Sequence, residues 1–309
     1  MRLSFTKMHG AGNDFIFFNA FTEKLPPDLA EFCKKLCHRQ FGIGADQVLI
    51  VHPSEVADFR MDIYNADGGR VEMCGNGIRC FAKYVRDVGL TTKSEIRVET
   101  LAGIIVPRVI EKHARQTEDT LWVEVDMGAP ILEAEKIPTA ATGQVLARPF
   151  YLDFPDPRPE DPDKVTMTCV SMGNPHAVVF VNDIENYPVE RVGRLIENHA
   201  FFPKRTNVEF VQVKSQTHVV QRTWERGSGE TLACGTGASA VCVAGVLNEL
   251  TGREITVSLK GGDLELKWDQ KTNHVFKTGP ATTVFDGSLP IKGDYKDQFA
   301  SQLARLKRT

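Results

Sequence analysis

Two periods run through the apolar positions of this chain, one of two residues and one of three to four. Alternation at Leu3 and Phe5, then the apolar run Phe15 to Phe18, predicts strands on either side of the loop His9-Gly10-Ala11-Gly12-Asn13-Asp14. From about Asp28 the spacing changes. Leu29, Phe32, Cys33, Leu36 and Cys37 recur every three to four residues and predict a helix with one apolar stripe. Phe59-Arg60-Met61-Asp62-Ile63-Tyr64 alternates again and predicts a strand. Behind it a glycine-rich stretch opens a helix with Ile78, Phe81, Ala82 and Val85 on its apolar side. Short strands fill roughly 95–127, interrupted by a loop at 113–120. A second series starts near Ile131, with a helix near 189–198, strands near 207–213 and 217–224, and a long helix from about Gly237 to Leu250. That last segment is apolar almost all round, so it predicts a helix buried on every side. Five prolines in 149–162 predict an exposed loop, and Phe299, Leu303 and Leu306 predict a short helix in the charged tail.

The second series repeats the first. Met73-Cys74-Gly75-Asn76-Gly77 matches Ala233-Cys234-Gly235-Thr236-Gly237, Tyr64-Asn65 matches Trp224-Glu225, and Gln47 matches Asn207, all at an offset of 160 residues. Gly12-Asn13-Asp14 matches Gly173-Asn174-Pro175 at an offset of 161. Ordered anchor pairs at nearly one offset predict two α/β domains of like fold related by a pseudo-twofold. The expected boundaries are 1–130, completed by a strand near 280–291, and 131–279, with 292–309 as a terminal extension.

The repeat selects two of the seven cysteines. Cys74 and Cys234 each lie on a glycine-rich turn at the start of a helix, where unsatisfied N–H groups and the positive end of the helix dipole gather. Such a place favours thiolate, and the same turn can cradle a carboxylate. Two facing thiols can take a proton from one side of a tetrahedral carbon and return one to the other, inverting it. Cys33, Cys37, Cys80, Cys169 and Cys242 read as small core hydrophobes. Cys33, Cys37 and His38 resemble metal ligands, but no distant CxxC or HxxxH completes a set, so no metal is expected. Asn13, Gln47, Asn65, Asn76, Asn174 and Asn207 add neutral donors and acceptors in the same loops. Glu225 adds charge, Arg226 a bidentate carboxylate clamp, and His176 a group able to assist proton movement. His38, His52, His113, His199, His218 and His274 read as structural, with no partner evident, and His9 stays open.

Composition narrows the field. Lys plus Arg number 37 against 40 Asp plus Glu, a net charge of −3, which leaves no basic excess for a nucleic-acid backbone. No apolar run approaches the ~20 residues that span a bilayer. An odd number of cysteines and an opening without a cleavable-leader pattern fit reduced thiols in a cytoplasm. A small-molecule partner is expected, with neither nucleic acid nor membrane.

With MHGAGNDF, ADQ, YNADG, CGNG, GNPH, TNVEF, WERGSGET and ACGTGASA in order from Met8 to Ala240, the chain closely resembles the diaminopimelate epimerase family. The resemblance implies two similar domains, each a mixed β-sheet curled around a central helix, with the active site between them. It implies no pyridoxal phosphate or other cofactor, and interconversion of LL- and meso-2,6-diaminopimelate in lysine and peptidoglycan precursor synthesis. The family's catalytic cysteines fall on Cys74 and Cys234, its supporting positions on His176 and Glu225. Its substrate contacts fall on Asn13, Gln47, Asn65, Gly75, Asn76, Asn174, Asn207, Glu225, Arg226, Gly235 and Thr236. A homodimer is implied, with Phe285 in what looks like a Tyr position at the contact. The proline-rich loop and the tail look like additions. A proline-racemase-like enzyme shares the two-thiol logic, and a non-catalytic binder or thiol-redox protein is the alternative from another class. The WERGSGE segment favours the epimerase over the racemase, because a cyclic imino acid has no distal carboxylate to clamp.

Overall fold

The structure, a computed structural model, describes residues 2–290. The tail expectations on Phe299, Leu303 and Leu306, and the extension 292–309, lie outside the described residues. The chain divides into two compact units. One runs through Leu121 and takes up the chain again at Ala281; the other is Trp122–Pro280. The crossing thus falls upstream of residue 130, inside a strand.

In the first unit the order is β1 (Arg2–Gly10), β2 (Asn13–Asn19), α1 (Leu29–Cys37), β3 (Gln47–His52), β4 (Phe59–Asn65), β5 (Arg70–Val71), α2 (Gly77–Asp87), β6 (Val98–Thr100), β7 (Gly103–Ile105) and β8 (Arg108–Ile110). Strand β9 (Thr120–Asp126) carries the chain out of it. The second unit follows with β10 (Arg148–Tyr151), β11 (Lys164–Ser171), β12 (Pro175–Phe180), α3 (Val189–Glu197), β13 (Asn207–Ser215), β14 (His218–Glu225), β15 (Gly229–Thr231), α4 (Gly235–Leu247), β16 (Glu254–Leu259) and β17 (Gly262–Trp268). Strand β18 (Val275–Pro290) returns the chain to the first unit.

The repeat in the sequence is a repeat in pairing. β2 and β3 run parallel with α1 as their crossover, β3 and β4 form an antiparallel pair, β4 turns tightly into β5, and β4 pairs parallel with β6. In the second unit β12, β13, β14, β15 and β16 repeat each of these relations, with α3 as the crossover. Register agrees as well: Val48 faces Tyr64 in one unit and Val208 faces Trp224 in the other, each pair offset by 160.

Helix α4 packs against β11, β12, β13, β16 and β17. Every residue from Gly237 to Gly245 is buried, as the all-round apolar sequence requires. Helix α2 packs on β1, β3 and β8. It departs from the expected single stripe, because Arg79 and Lys83 are buried with the apolar residues. Both cations are held by short-range acceptors: Arg79 donates to Gly75 O and Asn76 Oδ1, and Lys83 pairs with Asp87. The crossover helices keep one apolar face. Asp28 caps α1 by accepting from Glu31 N, and Phe32, Cys33, Leu36 and Cys37 form its buried stripe.

The proline-rich loop needs a correction. Arg148–Tyr151 is a strand paired antiparallel with β11, and Phe150 is buried in the second core. Pro149 stands opposite Thr166 in this pair and has no N–H to give a ladder. Among the described residues no helix is long and apolar enough to cross a membrane.

One packing detail distinguishes the two cores. Where the first unit has Cys33 and Tyr64 in one cluster, the second has Gly193 and Trp224, and a Cβ on Gly193 would stand 2.6 Å from Trp224 Cγ. The larger indole takes the room the missing side chain leaves. Gly193→Ala is therefore expected to lower stability by about 1–3 kcal/mol through overpacking. Urea denaturation checks this, and an unchanged midpoint would mean that Trp224 moves aside freely.

Candidate active site

In each unit the polar residues singled out by the repeat gather at the ends of the same strands. In the first, Asn13 opens β2, Gln47 opens β3 and Asn65 closes β4. Gln47 and Asn65 face each other across the ladder, and Gln47 Nε2 donates to Asn65 Oδ1 at 2.8 Å. The turn Cys74-Gly75-Asn76 then leads into α2. Asn13 Oδ1 accepts from Cys74 Sγ at 3.6 Å and from Asn76 Nδ2 at 3.4 Å. The other end of the Asn13 amide is fixed too, since its Nδ2 donates to Asp46 Oδ2 at 2.7 Å. Asp46 is paired in turn with Arg39, which forks onto Asp14. Burial by itself would raise the Asp14 carboxyl, but hydrogen bonds from Arg39 and Lys7 bring it down to about 2. His9 lies on β1, and burial lowers its pKa.

The second unit builds its cluster from β12 to β14 and the start of α4. Asn174 sits in the turn before β12, His176 on β12, Asn207 at the start of β13, Glu225 at the end of β14 and Arg226 in the turn after it. His176 is fully buried and bonds on both ring nitrogens, Nδ1 to Glu209 Oε1 at 2.8 Å and Nε2 to Asn174 Oδ1 at 3.1 Å. Glu209 also accepts from Gln221 Nε2 and Thr223 Oγ1, both at 2.7 Å. Asn207 bridges two loops, donating to Pro175 O and accepting from Arg226 N. Glu225 accepts from Thr231 Oγ1 at 2.6 Å, and the Cys234 thiol pairs with Thr236 Oγ1 at 3.5 Å. The Arg226 guanidinium, expected as a carboxylate clamp, donates here to Lys204 O at 3.0 Å.

The two cysteines share one local geometry. Gly77 N–H donates to Cys74 Sγ at 3.4 Å, and Gly237 N–H donates to Cys234 Sγ at 3.4 Å. Cys234 is the N-cap of α4 and accepts in that role, whereas Cys74 lies two residues ahead of Asn76, the N-cap of α2, and accepts from the first residue of that helix. Neither glycine has free room for a side chain. A Cβ on Gly77 would stand 3.0 Å from Leu49 and 3.3 Å from Cys74 Cβ, and one on Gly237 would run into the Glu209 carboxylate.

Their surroundings differ. Asn13 and Asn76 are neutral neighbours of Cys74, and the fully buried Arg79 holds the carbonyl of Gly75 in the same turn. Cys234 is only 6% exposed and lies near two carboxylates. Burial first, then Glu225 and Glu209, push its thiol well above the ordinary range. The helix N-terminus was expected to favour thiolate at both positions. At Cys234 desolvation and like charge outweigh it. The Glu225 carboxyl is raised as well, by burial first and by the charge of Glu209.

Glu209 is the main residue that sequence reading missed, along with Arg79 and Asp46. Its signal was a carboxylate inside the apolar strand Val208-Glu209-Phe210-Val211, at a position facing the start of α4. His176 Nδ1 or Nε2, a Glu209 oxygen and Cys234 Sγ lie within 4.8 Å of one another, a spacing that could suit a cation. Protein donors already occupy both Glu209 oxygens and both His176 nitrogens carry bonds, so a metal would have to displace that network. The core cysteines behave as small hydrophobes: burial raises Cys37, Cys80, Cys169 and Cys242 to about 12, and Cys33 is raised too. The histidines thought to lack partners do have them. His52 approaches Asp62, His218 bonds Ser258, His274 pairs with Asp126, and His38, His113 and His199 accept from nearby backbone N–H groups.

A family profile described as Diaminopimelate epimerase matches residues 5–133 and 168–284. The chain is 52% identical over 290 residues to a diaminopimelate epimerase of Moorella thermoacetica, covering 94% of this chain and 100% of that one. It is 48% identical over 289 residues to one of Acetivibrio thermocellus, covering 94% and 99%. Among solved structures it is similar to the Bacillus anthracis phenazine biosynthesis protein of the PhzF family, with a TM-score of 0.65 at 17% identity, covering 94% of this chain and 100% of that one. This last likeness speaks for the fold alone.

The carboxylates around Cys234 make a direct prediction. The thiolate absorbance difference between wild type and Cys234→Ser in the substrate-free protein should grow only above about pH 9, beyond the ordinary thiol range near 8.5. In a Glu225→Gln background it should start at lower pH, because one repelling charge is gone. A difference complete by pH 8 would contradict the electrostatic reading.

Proposed function

Because the chain belongs to the diaminopimelate epimerase family, we propose that it interconverts LL- and meso-2,6-diaminopimelate through proton exchange between the α-carbon and the thiols of Cys74 and Cys234. The observation that carries the reading is the duplicated sulfur contact at a helix start, with each cysteine bonded to the N–H of the glycine three residues on. No cofactor enters the scheme. The thiol that begins turnover as thiolate takes the α-proton, leaving the C–H electron pair on carbon, and the other thiol delivers its proton to the opposite face. Reversing the direction swaps the roles.

An α-hydrogen is a weak acid, so the developing negative charge needs fixed positive dipoles. The N–H groups at the starts of α2 and α4 supply them, with Gly75, Asn76, Gly235 and Thr236 holding the α-carboxylate. Asn13, Gln47, Asn65, Asn174 and Asn207 read the rest of the substrate, and Arg226 leaves the Lys204 carbonyl to pair with the distal carboxylate. Near Cys234, the charge of Glu225 raises the thiol and His176 anchors Asn174, so both tune proton transfer without leaving their own hydrogen bonds. Reduced thiols are needed throughout, which fits work in the cytoplasm as part of lysine and peptidoglycan precursor synthesis, with no nucleic-acid or membrane partner.

Incubation in deuterated buffer is the test. The meso product formed from LL-diaminopimelate should carry solvent deuterium at the inverted α-carbon, and proline should gain none. Cys74→Ala and Cys234→Ala should each slow this by about 10² to 10⁴, the usual worth of a positioned acid or base, with the circular dichroism spectrum unchanged. Near-wild-type turnover in either variant would refute the scheme.

We also propose a homodimer formed through the face of β18 that carries Val284 and Phe285, which are 52% and 47% exposed. Phe285 stands edge-on to Phe5, with ring centroids 6.0 Å apart. Phe285→Arg should shift the sedimenting species from dimer to monomer. A monomeric wild type, or a dimeric variant, would rule that face out.

A further inference from the structure

Glu197 is the last residue of α3 and has no place in the chemistry above, yet it is only 4% exposed and accepts three hydrogen bonds. Its Oε2 takes the indole Nε1–H of Trp224 at 2.7 Å. Its Oε1 takes the backbone N–H of Gly227 at 2.9 Å and the guanidinium of Arg205 at 3.0 Å. Trp224 and Gly227 bracket Glu225 and Arg226, so one carboxylate pins both ends of the turn that carries them.

Arg205 extends the same arrangement. It is a non-glycine residue at φ 57, a left-handed conformation that persists only where its surroundings impose it. The carbonyl just before it, on Lys204, is the one that holds the Arg226 side chain. Glu197 therefore ties together the two loops between which the Arg226 guanidinium is strung. A carboxylate suits this task because all three partners are donors and it offers acceptors only. Burial makes each bond costly to lose.

We infer that Glu197 is a positioning residue: it holds the Glu225–Arg226 turn in register from outside the reacting groups and thereby sets affinity for the substrate's distal end. The inference rests on the epimerase reading only for which substrate the turn serves; the ordering of the turn stands on the bonds themselves.

The test uses the full-length protein and the conservative change Glu197→Gln, which keeps the volume but turns a donor toward one of three donors. Hydrogen exchange without substrate should accelerate at the Gly227 amide by about tenfold or more as its bond opens locally. In the epimerase assay KM for LL-diaminopimelate should rise about tenfold, the worth of one charged hydrogen bond, with kcat little changed. Trp224→Phe, which removes the indole N–H and also shrinks the ring, should move KM and the Gly227 exchange rate in the same direction by smaller factors, and it serves if Glu197→Gln does not fold. A lower melting temperature with unchanged exchange in 224–229 and unchanged KM per folded site would make Glu197 a merely structural residue and overturn the inference. Faster exchange in a protein that does not turn over diaminopimelate would instead leave the positioning role standing and sink the assigned reaction.

Discussion

The hydrogen bond to a cysteine sulfur from the N–H of the glycine three residues on, in the first turn of a helix, is the constraint on which the rest depends. It occurs twice, at Gly77 with Cys74 and at Gly237 with Cys234, at the same 3.4 Å. To make it, the chain must end a tight strand pair, turn through a residue with no side chain in the way, and start a helix at once. β4 with β5, and β14 with β15, provide that strand pair in each unit. The sheets then supply the amides and carboxylates around the turn, because their strands end at the level where the helix begins.

Equal backbones carry unequal electrostatics. The first turn is set among amides, with a buried guanidinium on its carbonyl; the second is set against Glu209 and Glu225. In the proposed exchange one thiol holds a proton while the other lacks it. Burial, then Glu225 and Glu209, raise the Cys234 thiol and so favour its protonated form. The cost is a group of buried acceptors, met by a hydrogen-bond column from Gln221 and Thr223 through Glu209 and His176 to Asn174.

Much of this is legible in the sequence because the same solution was written twice. The offset of 160 between Cys74 and Cys234 identifies the turns, and the all-apolar segment after Gly237 announces a helix wrapped by its sheet. What periodicity misses are polar residues that become buried because of where the fold puts them. Arg79 falls on the polar side of its helix in any helical projection, yet it is wholly enclosed because its partners are the backbone of the turn one step upstream. Glu197 reads as an exposed helix end, and only the tertiary approach of Trp224 and Gly227 shows otherwise. The strand at Arg148–Tyr151 is hidden for a different reason: proline punctuation outweighs a four-residue pairing that depends on β11, distant enough not to show in local periodicity.

The central claim is that two different groups handle the two protons, and the label distribution in early turnover measures this most directly. With LL-diaminopimelate as the sole starting isomer in deuterated buffer, the first meso product formed should carry deuterium at the inverted carbon while the unreacted LL pool remains protiated. Deuterium accumulating in the LL pool as fast as in the meso product, or protium carried over into the product, would mean a single group shuttles the proton and would contradict the paired-thiol account.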